Sequence, residues 1–146
     1  MRVDFYQLSR DPAEAAVAQL AHAALSRAGE RMLVVSDDET QLARISEVLW
    51  AFLPESFLAS GRAGEPHAGR QPVLLSHGLE PENGAAYVLY ADGVWREPPE
   101  GTRRVFLLFG PDRIDDARGT WRMVKAREGM EQNFWRQEGG KWVKAG

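Results

Sequence analysis

Arg31 to Phe57 reads RMLVVSDDETQLARISEVLWAFLPESF. Met32 to Val35 is an apolar, β-branched run, the composition of a buried strand. After Ser36-Asp37-Asp38 the apolar residues change period: Leu42, Ile45, Leu49 and Phe52 lie along one face of a helix, with Val48 beside them. Ser36 or Asp37 is expected to cap that helix by accepting from its unpaired first N–H groups. The acidic first turn suits the positive end of the helix dipole, and Pro54 is expected to stop the helix. Strand, tight turn and amphipathic helix together make one half of a parallel α/β unit. The end of this unit is unusual, because Trp50, Phe52 and Phe57 crowd a polar segment.

Working outward, Val3 to Leu8 predicts a first strand, and Ser9 or Asp11 opens a helix with Pro12 at its first position. Ala15, Val17, Leu20, Ala21, Ala24 and Leu25 form its apolar face, and Gly29 ends it. Residues 59–71 (ASGRAGEPHAGRQ) read as a Gly- and charge-rich surface loop. Residues 72–76 and 86–90 predict short strands, and residues 104–109 (RVFLLF) a strong buried one. Asp92-Gly93 can make a hairpin turn, although Pro98 and Pro99 limit any returning strand. A last helix is expected from Asp115 to about Glu128. After it, Phe134–Arg136 and Trp142-Val143 flank Glu138-Gly139-Gly140 as a C-terminal hairpin. The order βα–βα–β–β–βα predicts a single domain over 1–146, an open, mainly parallel sheet of about five strands with helices on both faces.

At 146 residues the chain is long enough for a substantial core, and 44% hydrophobic with 27% charged residues argues against disorder. No apolar run approaches membrane length and no signal peptide opens the chain, so a cytoplasmic address is expected. The absence of cysteine excludes disulfides, thiol catalysis and cysteine-ligated zinc. Charge is uneven: residues 1–100 carry 8 basic and 15 acidic side chains, residues 101–146 carry 10 and 6. A weakly acidic whole argues against a general nucleic-acid binder, while the positive C-terminal third points to one local anionic partner.

Several constellations fail as sites. Gly61, Gly64 and Gly69 lack the spacing of a phosphate-binding loop. His22, His67 and His77 have no second ligand at metal spacing, so no metal or cofactor is expected. Ser36-Asp37-Asp38 at a strand end suits a nucleotide-dependent or hydrolytic α/β enzyme, but capping explains the same residues and is preferred.

The last helix is more informative. Arg118, Arg122 and Lys125 recur at i, i+4 and i+7 as one basic stripe, with Arg127 near its end, and Ala117, Trp121 and Val124 follow one position earlier. Trp121 therefore lies on the border between apolar and charged faces. Two readings fit: a solvated cationic face with Trp121 half in the core, or a shallow apolar pocket rimmed by guanidinium groups. The second suits a peptide ending in an aromatic residue and a carboxylate. Trp50 falls outside the Leu42–Ile45–Leu49 stripe and reads as an exposed anchor for another protein.

These residues resemble a known family, the chi subunits of bacterial DNA polymerase III, accessory proteins of the clamp loader. The likeness runs along most of the chain. It is carried by Asp4-Phe5-Tyr6, the strand–Asp37-Asp38-Glu39–helix unit, Leu49-Trp50, Glu55-Ser56-Phe57-Leu58, Ala63-Gly64-Glu65 with Pro72-Val73, and Arg118 with Trp121-Arg122. The resemblance implies a parallel α/β fold like that of nucleotide-binding proteins, without catalytic activity or cofactor. It implies two partners, the acidic C-terminal tail of single-stranded DNA-binding protein and, at another surface, the psi subunit. Under it, Arg118, Trp121 and Arg122 fall on tail-binding positions, with Lys125 extending the basic row. Trp50 and Phe57 fall on or beside the psi-facing surface.

Overall fold

The strand that opens the deciding stretch, β2 (Met32–Val35), is buried at every position. In the computed structural model, which describes residues 1–9, 11–52, 59–138 and 141–145, it runs parallel between β4 (Val73–Ser76) and β5 (Tyr87–Tyr90). Unbroken apolar runs are what strands covered on both faces require. Beyond β5 lie β6 (Arg104–Phe109) and β1 (Arg2–Gln7), again parallel.

Among the described residues, three α-helices cover this sheet. On one face, α1 (Ala13–Ala28) and α2 (Glu39–Ala51) set Val17, Ala21, Leu42, Ile45 and Leu49 against Val34, Leu75, Leu89 and Phe106. Arg44 of α2 donates to Glu14 of α1 at 2.8 Å. On the other face, α3 (Ile114–Lys125) brings Ala117 and Val124 onto the layer holding Val3, Phe5 and Leu107. The single α/β sheet with helices on both faces is as expected.

The strand count is not: the sheet has eight strands, in the order β3-β4-β2-β5-β6-β1-β7-β8, where about five were expected. β3 (Ser60–Arg62) lies inside the glycine-rich segment and pairs parallel with β4. Edge pairing needs backbone groups rather than apolar side chains, so no pattern announces it. β7 (Glu131–Glu138) is polar in sequence yet lies parallel to β1, from Arg2↔Glu131 to Gln7↔Arg136. It also forms the expected C-terminal hairpin with β8 (Lys141–Lys144), the one antiparallel pair described.

Local details also differ. Asp38, not Ser36 or Asp37, caps α2, its Oδ1 accepting from the Gln41 N–H at 3.2 Å. Pro12 sits at the N-cap of α1 rather than inside the first turn, and no side chain caps that helix. The two expected caps are used elsewhere: Ser9 and Asp11 hydrogen-bond Gln137 of β7. Gly29 ends α1 as expected, with φ 64°. α3 ends at Lys125, three residues short of the expected Glu128. Asp92-Gly93 makes a turn but no returning strand; the segment folds back on itself, the Tyr90 hydroxyl donating to the Arg96 carbonyl at 2.7 Å. Pro54, expected to stop α2, lies outside the described residues; the helix ends at Ala51.

Candidate functional site

α3 begins where β6 ends. Gly110-Pro111-Asp112 leads through a single 3-10 turn into the helix, whose first turn carries Asp115 and Asp116 and whose last carries Arg122 and Lys125. Acids at the start and bases at the end both match the helix dipole. The apolar stripe is narrow, so α3 rests on the sheet through Ala117 and Val124 while its flank stays open.

Trp121 occupies that flank. Its indole packs edge-on against Phe5 of β1 (5.1 Å between centroids) and against Phe134 of β7 (6.0 Å), and Phe134 in turn meets Phe109 at 5.8 Å. Edge-to-face packing of this kind fixes ring orientation as well as burying area. Between these rings and the helix lies a depression of about 210 Å³, walled by Phe109, Ile114, Ala117, Trp121 and Phe134 and bordered by Arg118 and Arg122. Trp121 is half-buried, as its position in the helix predicted.

The cations differ in how far they are committed. Arg118 is exposed and only loosely paired, 3.8 Å from the equally exposed Asp115. Such a pair contributes little and is easily exchanged for another anion. Arg122 has no carboxylate within 4.0 Å among the described residues. Lys125 is exposed one turn further on and does not line the depression. Arg127 is taken out of the row: its guanidinium grips Glu97, donating from Nη1 at 2.8 Å, and holds the Glu97 carboxyl down to about 2. Two of the four cations thus border the apolar wall with charge to spare.

At the other expected surface, Trp50 near the end of α2 is 88% exposed, an unusual state for so large a ring. Phe57, expected beside it, lies outside the described residues.

The Ser36-Asp37-Asp38 turn is engaged structurally. The Ser36 hydroxyl donates to Gln41 at 2.6 Å and accepts from the Asp38 N–H, Asp38 caps α2, and Asp37 pairs with Arg96 at 3.1 Å. Arg96 also clamps Asp92; burial works against that carboxylate, but the Arg96 hydrogen bonds outweigh it and hold its pKa below the usual range. Among the described residues no group of three His, Asp or Glu side chains is placed to hold a metal ion, and no helix is long and apolar enough to cross a membrane.

Sequence reasoning found Arg118, Trp121 and Arg122, with Ala117 on the apolar side, but missed the other walls. Ile114 was legible in principle, one turn before Arg118 on the same face. Phe109 and Phe134 were not, because they arrive on other strands.

Two comparisons bear on this arrangement. The family described as "DNA polymerase III chi subunit, HolC" matches residues 1–132, from β1 through α3 into β7. The DNA polymerase III subunit chi of Escherichia coli (strain K12) is 42% identical over 50 residues, 34% of this chain and 34% of that protein. The match thus spans about a third of that relative's length. Because the family match takes in strands β1 to β6 and the helix bearing the arginine-bordered depression, the chain belongs to the DNA polymerase III chi subunit family.

Proposed function

We propose that the protein is a non-catalytic accessory subunit of the DNA polymerase III holoenzyme, acting in the cytoplasm during DNA replication. In this reading α3 grips the acidic C-terminal tail of single-stranded DNA-binding protein. A second surface, at the end of α2 around Trp50, joins a psi subunit and through it the clamp loader; the family resemblance assigns Phe57 to the same role.

The observation that carries the tail assignment is the depression itself: apolar walls closed by Trp121, with Arg118 and Arg122 at the border. A tail of aspartates ending in Ile-Pro-Phe offers an apolar ring, an α-carboxylate and diffuse negative charge. The ring desolvates against Trp121 and Phe134, and a guanidinium fork matches the carboxylate with two parallel hydrogen bonds. Lys125, outside the pocket, adds attraction at longer range to the aspartates. The family membership and the positive charge of the last third of the chain support the same reading. A hydrolytic or nucleotide-dependent centre at Ser36-Asp37-Asp38 gains nothing from side chains already engaged in capping and ion pairing.

Calorimetric titration of the full chain with that tail peptide tests the reading. Saturable binding that weakens in Arg122→Ala, and that disappears when the terminal Phe of the peptide is removed, supports it. Affinity indifferent to both changes rejects it.

A further inference from the structure

A second cavity, of about 340 Å³, opens on the opposite face of the sheet from α3. It lies between the C-terminal half of α1 and the strands β5, β6, β1, β7 and β8. On the helix side α1 lines it with the short side chains of Ala23, Ala24 and Ala28. The volume falls within the usual range for small-molecule sites.

The sheet side of the cavity is aromatic. The Tyr6 ring stacks between Trp135 (interplanar angle 10°, centroids 6.1 Å apart) and Phe106 (22°, 5.9 Å), so rings from three neighbouring strands form one aromatic stack. Trp142 of β8 stands edge-on to Tyr6 at 4.9 Å. Trp135 and Trp142 are only half-buried, which leaves ring surface open to a ligand.

The polar part is organised from beneath. Asp4 is fully buried, and its carboxylate accepts from Arg104 Nε at 2.6 Å, from Arg2 Nε at 3.2 Å and from the Trp135 indole N–H at 3.1 Å. Arg104 also stacks over Phe106, 4.2 Å from its centroid, and donates from Nη2 to the Tyr6 hydroxyl. Because Asp4 engages both arginines through Nε, the Nη groups of Arg2 and Nη1 of Arg104 keep no protein acceptor among the described residues. Arg27 adds a third guanidinium, exposed and likewise without a carboxylate partner among the described residues. Among the described residues no carboxylate lines the cavity. At the end of α1 the N–H groups of Gly29 and Glu30 both donate to the Ala24 carbonyl.

We propose that this cavity binds a nucleobase with an adjoining phosphate, the base against Trp135 and Trp142 and the phosphate held by Arg27 and the free Nη groups of Arg2 and Arg104. Half-exposed indoles beside a fork of guanidinium donors are the combination that stacks bases and tracks phosphates, and it needs no base-specific hydrogen bond. A small inorganic anion makes no use of the rings, and an uncharged ring makes no use of three arginines. The shared chemistry has two sources, a free nucleotide or the phosphorylated end of a single strand. The site is independent of the α3 depression, on the other side of the sheet.

Titration calorimetry of the full chain with deoxyadenosine 5′-monophosphate, deoxyadenosine and deoxyribose 5-phosphate tests the proposal. The nucleotide binds, and each half alone binds at least about tenfold more weakly, because each forfeits either stacking or the charge-assisted bonds. Arg27→Ala, at an exposed position, weakens nucleotide binding about tenfold. Ala23→Leu, which fills the cavity, removes it, while Arg122→Ala leaves it unchanged. A 5′-phosphorylated oligodeoxyadenylate that binds more tightly than the mononucleotide identifies a strand end as the source; one that binds no better identifies the free nucleotide. Should Ala23→Leu lower the melting temperature, Arg27→Ala decides alone. The proposal is overturned by no nucleotide binding at millimolar concentration, by a nucleoside binding as well as its nucleotide, or by affinity unaffected in Arg27→Ala.

Discussion

Phe5, fully buried in the middle of β1, meets the Trp121 indole edge-on with ring centroids 5.1 Å apart and planes inclined at 65°. That contact sets how far the indole sinks: it rests on the sheet layer instead of entering it. Trp121 thereby becomes a wall shared between core and depression. Trp121→Ala is therefore expected to do two things at once. It costs about 1–3 kcal/mol of stability, less than a fully buried tryptophan, and it removes tail-peptide binding. Trp121→Phe restores most of the stability but only part of the affinity, as urea unfolding and calorimetry on the same preparations will show.

Arg122→Ala separates binding from folding. Its guanidinium is exposed and without a carboxylate partner among the described residues, so unfolding is expected to move by less than about 0.5 kcal/mol. Tail-peptide affinity falls by about 1–3 kcal/mol, the cost of one charge-assisted hydrogen bond. Arg122→Lys recovers only part of this, because an ammonium cannot form the bidentate pair. Lys125→Ala, one turn away, is expected to alter mainly the salt dependence of binding. A calorimetric series at two ionic strengths distinguishes the residues; equal losses for Arg122→Ala and Lys125→Ala would remove the distinction between pocket and periphery.

Trp50 makes the opposite prediction. With 88% of its surface exposed, its replacement by Ala is expected to leave thermal stability and tail affinity unchanged. Association with a psi subunit, measured by co-purification of the co-expressed pair, is expected to be lost. Loss of stability instead would show that the ring serves the fold.

Two surface carboxylates give acid sensitivity. Hydrogen bonds from Arg62, then from His77, hold Glu39 at about 2, and Arg127 does the same for Glu97, both well below the ordinary 4.5. A depressed folded-state pKa contributes stability that is complete above the unfolded value and is lost as pH falls through the folded one. Melting temperature is thus expected to drop between about pH 4.5 and pH 2. In Glu97→Gln and Glu39→Gln the same titration is expected to flatten, since neither amide changes protonation there. An unchanged slope in both variants would assign the acid transition to other carboxylates.

Gly93 marks the turn leading into the segment that Glu97 and Arg127 tie to α3. Its φ is 75°, and a Cβ there would lie 3.1 Å from the Leu108 carbonyl oxygen. Gly93→Ala combines left-handed strain with a backbone contact and is expected to cost about 1–3 kcal/mol. Gly64 has φ 82° but open space around it, so Gly64→Ala isolates the strain alone and is expected to cost about 1 kcal/mol. Denaturant midpoints of the two variants measure the difference.

Much of the molecule was decided by local pattern. The all-apolar run of β2, the Leu42–Ile45–Leu49 stripe and the basic row with Trp121 one step behind it follow from strand and helix periods, so class, layering and the partly buried indole were readable without coordinates. Tertiary structure alone decided the rest. The expected hairpin strand β7 extends over Glu131–Glu138 and lies parallel to β1, and that pairing delivers Phe134 to the α3 depression and Trp135 to the opposite cavity. Likewise Arg127, two residues past the end of α3, is held away from the cationic row by Glu97, thirty residues earlier in the chain. Periodicity records what a residue needs from its own element; which distant partner satisfies it depends on contacts that close only when the chain has folded.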